Sequence, residues 1–244
     1  MNGGRRWKRC FTPTETHSFP NTLGTGSLVK ENLAASLRSA ITEGRLLPGQ
    51  RVIEGKWARE FGAAQASVRE AINLLVSEGF VVKDAGRSAR VVRYTEQDVQ
   101  QIYQARTALE GMAAFLACQR RTDLQSLEAV VDQMETAMKS GDMRMLVKSD
   151  LRFHLGIAEA SGNPLLADLI RRLVSPLFAF VLLRVLKSNQ GLGAWSEQLP
   201  PHRRMIEVIH EGNPNLAQQY VQHAIMRFAG SAHGLWGGTL SDKP

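Results

Sequence analysis

Asp150 and His154 stand four residues apart in the run VKSDLRFHLGIAEASGN, whose remaining pattern is apolar and helical. Four residues make about one helical turn, so both polar heads leave the same helix face. A carboxylate and an imidazole placed this way can ligate one metal ion, provided that further ligands come from other helices. Two candidates lie downstream. His202 stands ten residues before Gly212, and His223 nine residues after Pro214. At a rise of about 1.5 Å per residue both lie roughly 15 Å from the turn that joins their helices. They therefore sit at similar height on a helical hairpin. The stripe Leu216, Ala217, Tyr220, Val221, Ala224, Ile225, Phe228 puts Ala224 at its centre and His223 about 100° away at its edge. The same spacings suit a hydrogen bond on a helix surface or a histidine satisfied in a core, so spacing alone leaves the ligand set open.

The elements that must hold these residues follow from periodicity. The chain has 244 residues, enough for one large domain or two modest ones. Residues 1–26 carry Gly, Thr and Pro without periodicity and read as a disordered arm. Val29, Leu33, Leu37 and Ile41 mark a helix face, stopped at Gly44, with a turn at Pro48-Gly49. A short helix fits EGKWAREF, broken by Gly62, and a longer one fits AQASVREAINLLVSEG. FVVKDAGRSARVVR then reads as two β-branched strands around Asp84-Ala85-Gly86. Ala58, Gly62 and Val68 suit a close helix–turn–helix crossing. With the hairpin behind it, the order over 27–94 is that of a winged helix-turn-helix.

From Thr95 onward the pattern is helical throughout. A capping box at Thr95 and Asp98 opens the first helix, and the others are expected at 123–139, 143–160, 164–188, 197–211 and 214–236. Pro164 and Pro214 fall at first helical positions. The expected class is mainly α: an N-terminal winged helix-turn-helix, then an all-α antiparallel bundle over 95–236 and a tail at 237–244.

Charge divides the chain in the same place. Residues 1–94 hold 15 Lys and Arg against 8 Asp and Glu, and residues 95–244 hold 15 of each, so the whole excess of +7 lies in the first part. A basic module joined to a neutral one points to a polyanionic partner, most simply nucleic acid. No apolar run reaches the ~18–20 residues of a membrane span, and polar sequence follows the basic N-terminus, so the expected location is cytoplasmic. Cys10 and Cys118 are too far apart in sequence to suggest a disulfide framework, and Cys118 sits in a helical apolar run as a small hydrophobe.

LLPGQRVIE, SVREAINLL and SEGFVVKDAGRSARV resemble the N-terminal domain of GntR-family transcription regulators. IYQARTALEGMAAFLA, DLRFHLGIAEASGNPLL and HRRMIEVIHEGNP resemble the helical C-terminal domain of the FadR-like (FCD) subgroup. The resemblance covers roughly residues 28–227. It implies a homodimeric DNA-binding regulator, a repressor, whose helical domain binds a small organic acid and thereby alters its grip on operator DNA. It also implies a divalent metal (zinc, nickel or manganese) held by one Asp and three His. Asp150, His154 and His202 match those positions. The fourth falls on Ala224, with His223 one residue early.

Where relatives commonly open the recognition helix with Ser-Arg-Thr-Pro-Val-Arg-Glu-Ala, this chain reads Ala64-Gln65-Ala66-Ser67-Val68-Arg69-Glu70-Ala71. Arg69 is assigned to a guanine edge or a phosphate, Gln65 to an adenine or a phosphate, and Ser67 to a backbone oxygen. Lys56 is assigned to a phosphate, and Gly86 with Arg87 at the wing tip to the minor groove. Gly55 stands where relatives often carry arginine. Arg69 can equally pair with a carboxylate at a solvated surface. Arg184, on a face with Leu173, Leu177 and Val181, is the candidate clamp for an acid.

Two other functions compete. One is a metal-dependent hydrolase with a basic accessory domain, since an Asp–His–His site with open coordination can activate water. It lacks an evident general base, and neither a Walker A nor a G-x-S-x-G motif occurs. The other is a binding module that has lost specific DNA reading.

Overall fold

The computed structural model describes residues 25–83, 88–187 and 199–231. Three helices come first: α1 (Thr25–Thr42), α2 (Glu54–Phe61) and α3 (Gln65–Ser77). Strands β1 (Arg51–Val52), β2 (Val81–Lys83) and β3 (Ala89–Val91) form an antiparallel sheet in the order β1-β3-β2. The two-residue β1 was not expected from sequence. It pairs Val52 with Ala89 and so ties the loop before α2 to the wing. The wing tip, with Gly86 and Arg87, lies outside the described residues, as do residues 1–24 of the expected arm and the tail.

The head's core is the predicted one with one correction. Leu33, Leu37 and Ile41 of α1 are buried against Val68, Ile72 and Leu75 of α3, and Trp57 of α2 joins them. Val29 is exposed instead, because the buried stripe begins a turn later.

Among the described residues six helices follow: α4 (Glu96–Arg120), α5 (Gln125–Ser140), α6 (Met143–Ala160), α7 (Pro164–Lys187), α8 (Leu199–His210) and α9 (Pro214–Ser231). Thr95 caps α4 in a complete capping box with Asp98. Helix α9 packs along α4, α6 lies between α5 and α7, and α8 contacts α4, α5 and α9. Their apolar faces meet in a core centred on Phe153, Met134, Leu146, Ile157, Ile170 and Leu177. No helix among the described residues is long and apolar enough to cross a membrane.

Helix α7 belongs to both cores. Its Val174, Leu177, Phe178 and Val181 are buried in the helical body, whereas Ala179 is buried in the head's core. Arg172, Pro176, Ala179 and Leu183 recur at helical spacing and form the stripe that meets the head. The Arg172 guanidinium donates to the Ser77 carbonyl at 3.0 Å. Pro176 has no N–H to offer the Arg172 carbonyl. Gly79, at the turn after α3, lies over that carbonyl: a Cβ there would come within 3.1 Å of the oxygen.

This contact separates two glycines that share a left-handed backbone. Gly62 (φ +60°) has open space where a Cβ would go, and Gly79 (φ +82°) does not. Gly62→Ala should cost only the strain of positive φ, about 1 kcal/mol. Gly79→Ala should cost that plus the displacement of α7 from the head. Urea denaturation of the two variants checks the order, and equal losses would mean that the junction with α7 contributes nothing.

Candidate functional site

Asp150 and His154 emerge from α6 on one face, as their spacing requires, and both are buried. His202, in the first turns of α8, comes from across the bundle. Its Nε2 lies 2.9 Å from Asp150 Oδ1, and His154 Nε2 lies 3.2 Å from the same oxygen. The three side chains offer ligand atoms all within 4.8 Å of one another. Phe153 packs edge-on against the His202 ring at 4.8 Å and fixes its plane.

Behind this triad stands a pair that the sequence reading missed. On α4, Arg106 Nε donates to Glu110 Oε1 at 2.7 Å, with both residues almost fully buried. Glu110 Oε2 lies 2.5 Å from His154 Nδ1. The chain of contacts runs Arg106–Glu110–His154–Asp150–His202 and joins α4, α6 and α8. A carboxylate on the far nitrogen of a histidine is the arrangement that orients a metal-ligating imidazole.

The charges settle one another. Burial alone would raise the Glu110 carboxyl, but Arg106 and then His154 outweigh it and hold it down to about 2. Burial likewise opposes ionisation of Asp150, and hydrogen bonds from His154 and His202 keep it well below the usual carboxylate range. For His154, burial disfavours the cation. The Glu110 charge and the hydrogen bonds to Asp150 and Glu110 overcome both that and the repulsion of Arg106, raising it to about 9.

A small cavity opens beside the triad. Tyr103, Arg106, Phe178, Val181 and Ala224 are in its wall together with Asp150, His154 and His202. Its water-accessible space is about 30 Å³, enough for an ion with its water and too little for an organic acid. The Arg106 guanidinium is 4.9 Å from the Tyr103 ring centre and 5.2 Å from that of Phe178, so aromatic faces hold the cation in place.

Two of the expected residues fall elsewhere. His223 is exposed and stands outside the triad, while Ala224 beside it is buried and lines the cavity. The apolar stripe thus wins over any shift of helix register, and the fourth corner of the ligand set carries a methyl group. Arg184 does not line the cavity. It lies about one turn beyond Val181 along α7, with its guanidinium 5.6 Å from the Phe180 ring. The cation in the cavity wall is Arg106. Metal chemistry fits the residues present with three protein ligands: two imidazoles, one carboxylate, and a buried carboxylate orienting one of the imidazoles.

In the head, Lys56, Gln65 and Arg69 are exposed and Ser67 is half-buried, all on α2 and the start of α3. Arg69 is not free-standing. Its Nε and Nη2 donate to the Glu54 carboxylate at 3.0 and 2.9 Å, and Gln65 Nε2 donates to the same group at 3.4 Å. The Arg69 bond holds the Glu54 carboxyl below its ordinary value. This is the surface pairing with a carboxylate that the sequence left open.

A winged helix-turn-helix joined to a helical body with an Asp–His–His triad defines the class of a DNA-binding transcriptional regulator. The sequence matches the model of bacterial regulatory proteins of the gntR family over residues 29–91 and that of the FCD domain over residues 101–227. The chain belongs to the GntR family of transcriptional regulators, in the group with an FCD domain. It is 29% identical over 188 residues to the HTH-type transcriptional regulator YdhC of Bacillus subtilis, covering 76% of this chain and 82% of that one. It is 26% identical to a probable D-xylose utilization operon transcriptional repressor of Paenarthrobacter nicotinovorans, over 82% and 89% of the two chains. The fold is shared with Escherichia coli McbR/YncC, at a TM-score of 0.70 and 21% identity over 82% of this chain and 94% of that one. The family and these relatives are transcriptional regulators, so the hydrolase reading is set aside.

Removing one partner from a buried ion pair costs about 3–5 kcal/mol, because the other charge is left without compensation. Glu110→Ala should therefore be among the most destabilising single changes in the body, although Glu110 touches no surface. Chemical denaturation measures it, and a loss below about 1 kcal/mol would show that Arg106 escapes to solvent and that the pair does not organise the site.

Proposed function

We propose that this regulator binds operator DNA as a homodimer and represses transcription in the cytoplasm, and that a small carboxylate entering the helical body alters that grip. The observation that carries the reading is the buried constellation of Asp150, His154, His202 and Arg106 around one cavity. Arg69 and Gln65 read base edges in the major groove, Ser67 and Lys56 bind backbone oxygens, and the wing tip with Gly86 and Arg87 approaches the minor groove.

Charge explains why the ligand is an anion. Asp150, His154 and His202 would hold a divalent ion, which supplies open coordination positions for a carboxylate oxygen. With neutral imidazoles, that ion and Arg106 set against Glu110 and Asp150 leave one uncompensated positive charge. A monocarboxylate cancels it, and its second oxygen can meet the Arg106 guanidinium. The methyl of Ala224 leaves a position to the ligand that a fourth histidine would fill.

Size explains why the ligand acts at a distance. The enclosed part of the cavity has room for an ion with its water, so the body of an organic acid would press against its walls. Phe178 and Val181 are part of that wall and lie on α7, whose opposite stripe is built into the head. A shift of α7 by a fraction of an ångström changes the seat of α3 and the wing.

Two experiments test these parts separately. The full chain should select specific sites from a random duplex pool and bind them with steep salt dependence. Arg69→Ala should then weaken operator binding by roughly 1–3 kcal/mol and relax preference at one base pair; an unaltered titration removes Arg69 from the reading. Protein prepared without chelator or polyhistidine tag should contain a stoichiometric divalent ion, and zinc, nickel or manganese should raise the melting temperature of stripped protein. His202→Ala should abolish both effects. Metal-free protein that gains no thermal shift would remove the ion while leaving Arg106 as the site for an acid.

A further inference from the structure

Glu54 is an acidic residue on a surface that must approach phosphates, where a carboxylate repels the ligand. It nevertheless collects both side chains assigned to base edges. The Nε/Nη2 edge of Arg69 lies against it at 3.0 and 2.9 Å, and Gln65 Nε2 lies 3.4 Å away. A guanidinium has five donors in a rigid plane. Glu54 takes the side fork and leaves the end fork, Nη1 with the second hydrogen of Nη2, unused on an exposed side chain. Among the described residues no hydrogen bond reaches Nη1 of Arg69. The end fork is the one that can bond O6 and N7 of a guanine bidentately. The Glu54 side chain is the more enclosed of the two, 26% exposed against 57% for Arg69. It is the first residue of α2, so its position is set by the helix–turn–helix crossing.

We infer that Glu54 is a positioning residue for DNA recognition, which orients Arg69 and Gln65 for base edges and gives up non-specific affinity to do so. This rests on the reading of Arg69 above as a base contact. Without Glu54 the arginine swings over several rotamers and settles on whichever phosphate is near. Operator binding then loses its orientation, and binding to arbitrary duplex gains a donor and loses a repulsion.

The test compares full-length wild type, Glu54→Gln, Glu54→Asp, Arg69→Ala and Glu54→Gln/Arg69→Ala on a selected operator and on a scrambled duplex of equal length. Glu54→Gln should lower the ratio of operator to scrambled affinity about tenfold, with scrambled affinity unchanged or higher. Glu54→Asp keeps the charge but shortens the reach, and should lower the ratio with no gain on scrambled DNA. In the Arg69→Ala background the Glu54 change should have little further effect on the ratio, since coupled residues are not additive. A Glu54→Gln ratio equal to wild type, with Arg69→Ala still damaging, overturns the inference and leaves the recognition reading intact. An Arg69→Ala ratio equal to wild type overturns the reading itself. A merely structural role for Glu54 would lower the melting temperature and affect both duplexes alike, which also overturns the inference.

Discussion

Charge buried in the helical body must be compensated, and that requirement fixes how the helices meet. Arg106, Glu110 and Asp150 lie inside an interior built from Phe153, Ile157, Leu177 and Val181, where a lone charge would be too costly to keep. Each finds partners only if α4, α6 and α8 sit at one height: Glu110 between Arg106 and His154, and Asp150 between His154 and His202. Apolar packing alone would let these helices slide by part of a turn at modest cost. The ion chain does not, because every slip leaves a charge without a partner. Two carboxylates against one guanidinium also leave one negative charge over. A proton on His154 balances it within the protein, and this is why that imidazole titrates so far above its ordinary range. On the proposed reading, a divalent ion would take the place of that proton and leave one positive charge over, which an acid could cancel.

The neighbouring helix turns that exchange into a mechanical problem. Phe178 closes the cavity and stacks under Arg106, and the next residue, Ala179, is buried in the head. Adjacent residues on a helix point about 100° apart, so one rigid rod has one face in each core. Close-packed interiors transmit small displacements instead of absorbing them. The proline break sharpens the junction. Pro176 frees the Arg172 carbonyl, and the left-handed Gly79 provides the flat surface that lets α3's turn rest upon it. A side chain at position 79 would crowd the Arg172 carbonyl at 3.1 Å and force the junction to give by a few tenths of an ångström. At the junction a polar bond, Arg172 to the Ser77 carbonyl, is joined by a close contact made possible by atoms that Gly79 and Pro176 lack.

Much of this was legible before any coordinates. Asp150 and His154 drew attention as a polar pair four apart in a helical run, although that spacing alone also suited a surface hydrogen bond or a core histidine. His202 followed from counting residues to the turn. The apolar stripe of the last helix distinguished buried Ala224 from exposed His223. What escaped was Arg106 with Glu110. Oppositely charged residues at that spacing on a helix are usually solvated, and the run QARTALEG reads as an ordinary amphipathic surface. Tyr103, Arg106, Glu110, Ala113, Ala114 and Ala117 share one face, and the structure buries all of it. Arg184 misled for the converse reason. It shares a face with the cavity-lining Val181, but periodicity gives direction around an axis and not where along the axis a cavity ends. Strand β1 was invisible because two residues carry no period.

On the proposed reading, the surface of α2 and α3 must specify sequence with an altered pattern. Gly55 and Ala64 remove donors that relatives often carry, so fewer side chains remain to do the reading. A small number of contacts discriminates only if each is held in one geometry, since an arginine free to rotate gains as much from a phosphate as from a guanine. The structure meets that need with a single carboxylate. Glu54 is anchored at the start of α2, the carboxylate it presents spans the gap to α3, and Arg69 and Gln65 both converge on it. The two helices of the motif are thereby linked through the residues proposed to read DNA. A change in the seat of α2 relative to α3 would alter the aim of Arg69 before it altered any packing in the head's core.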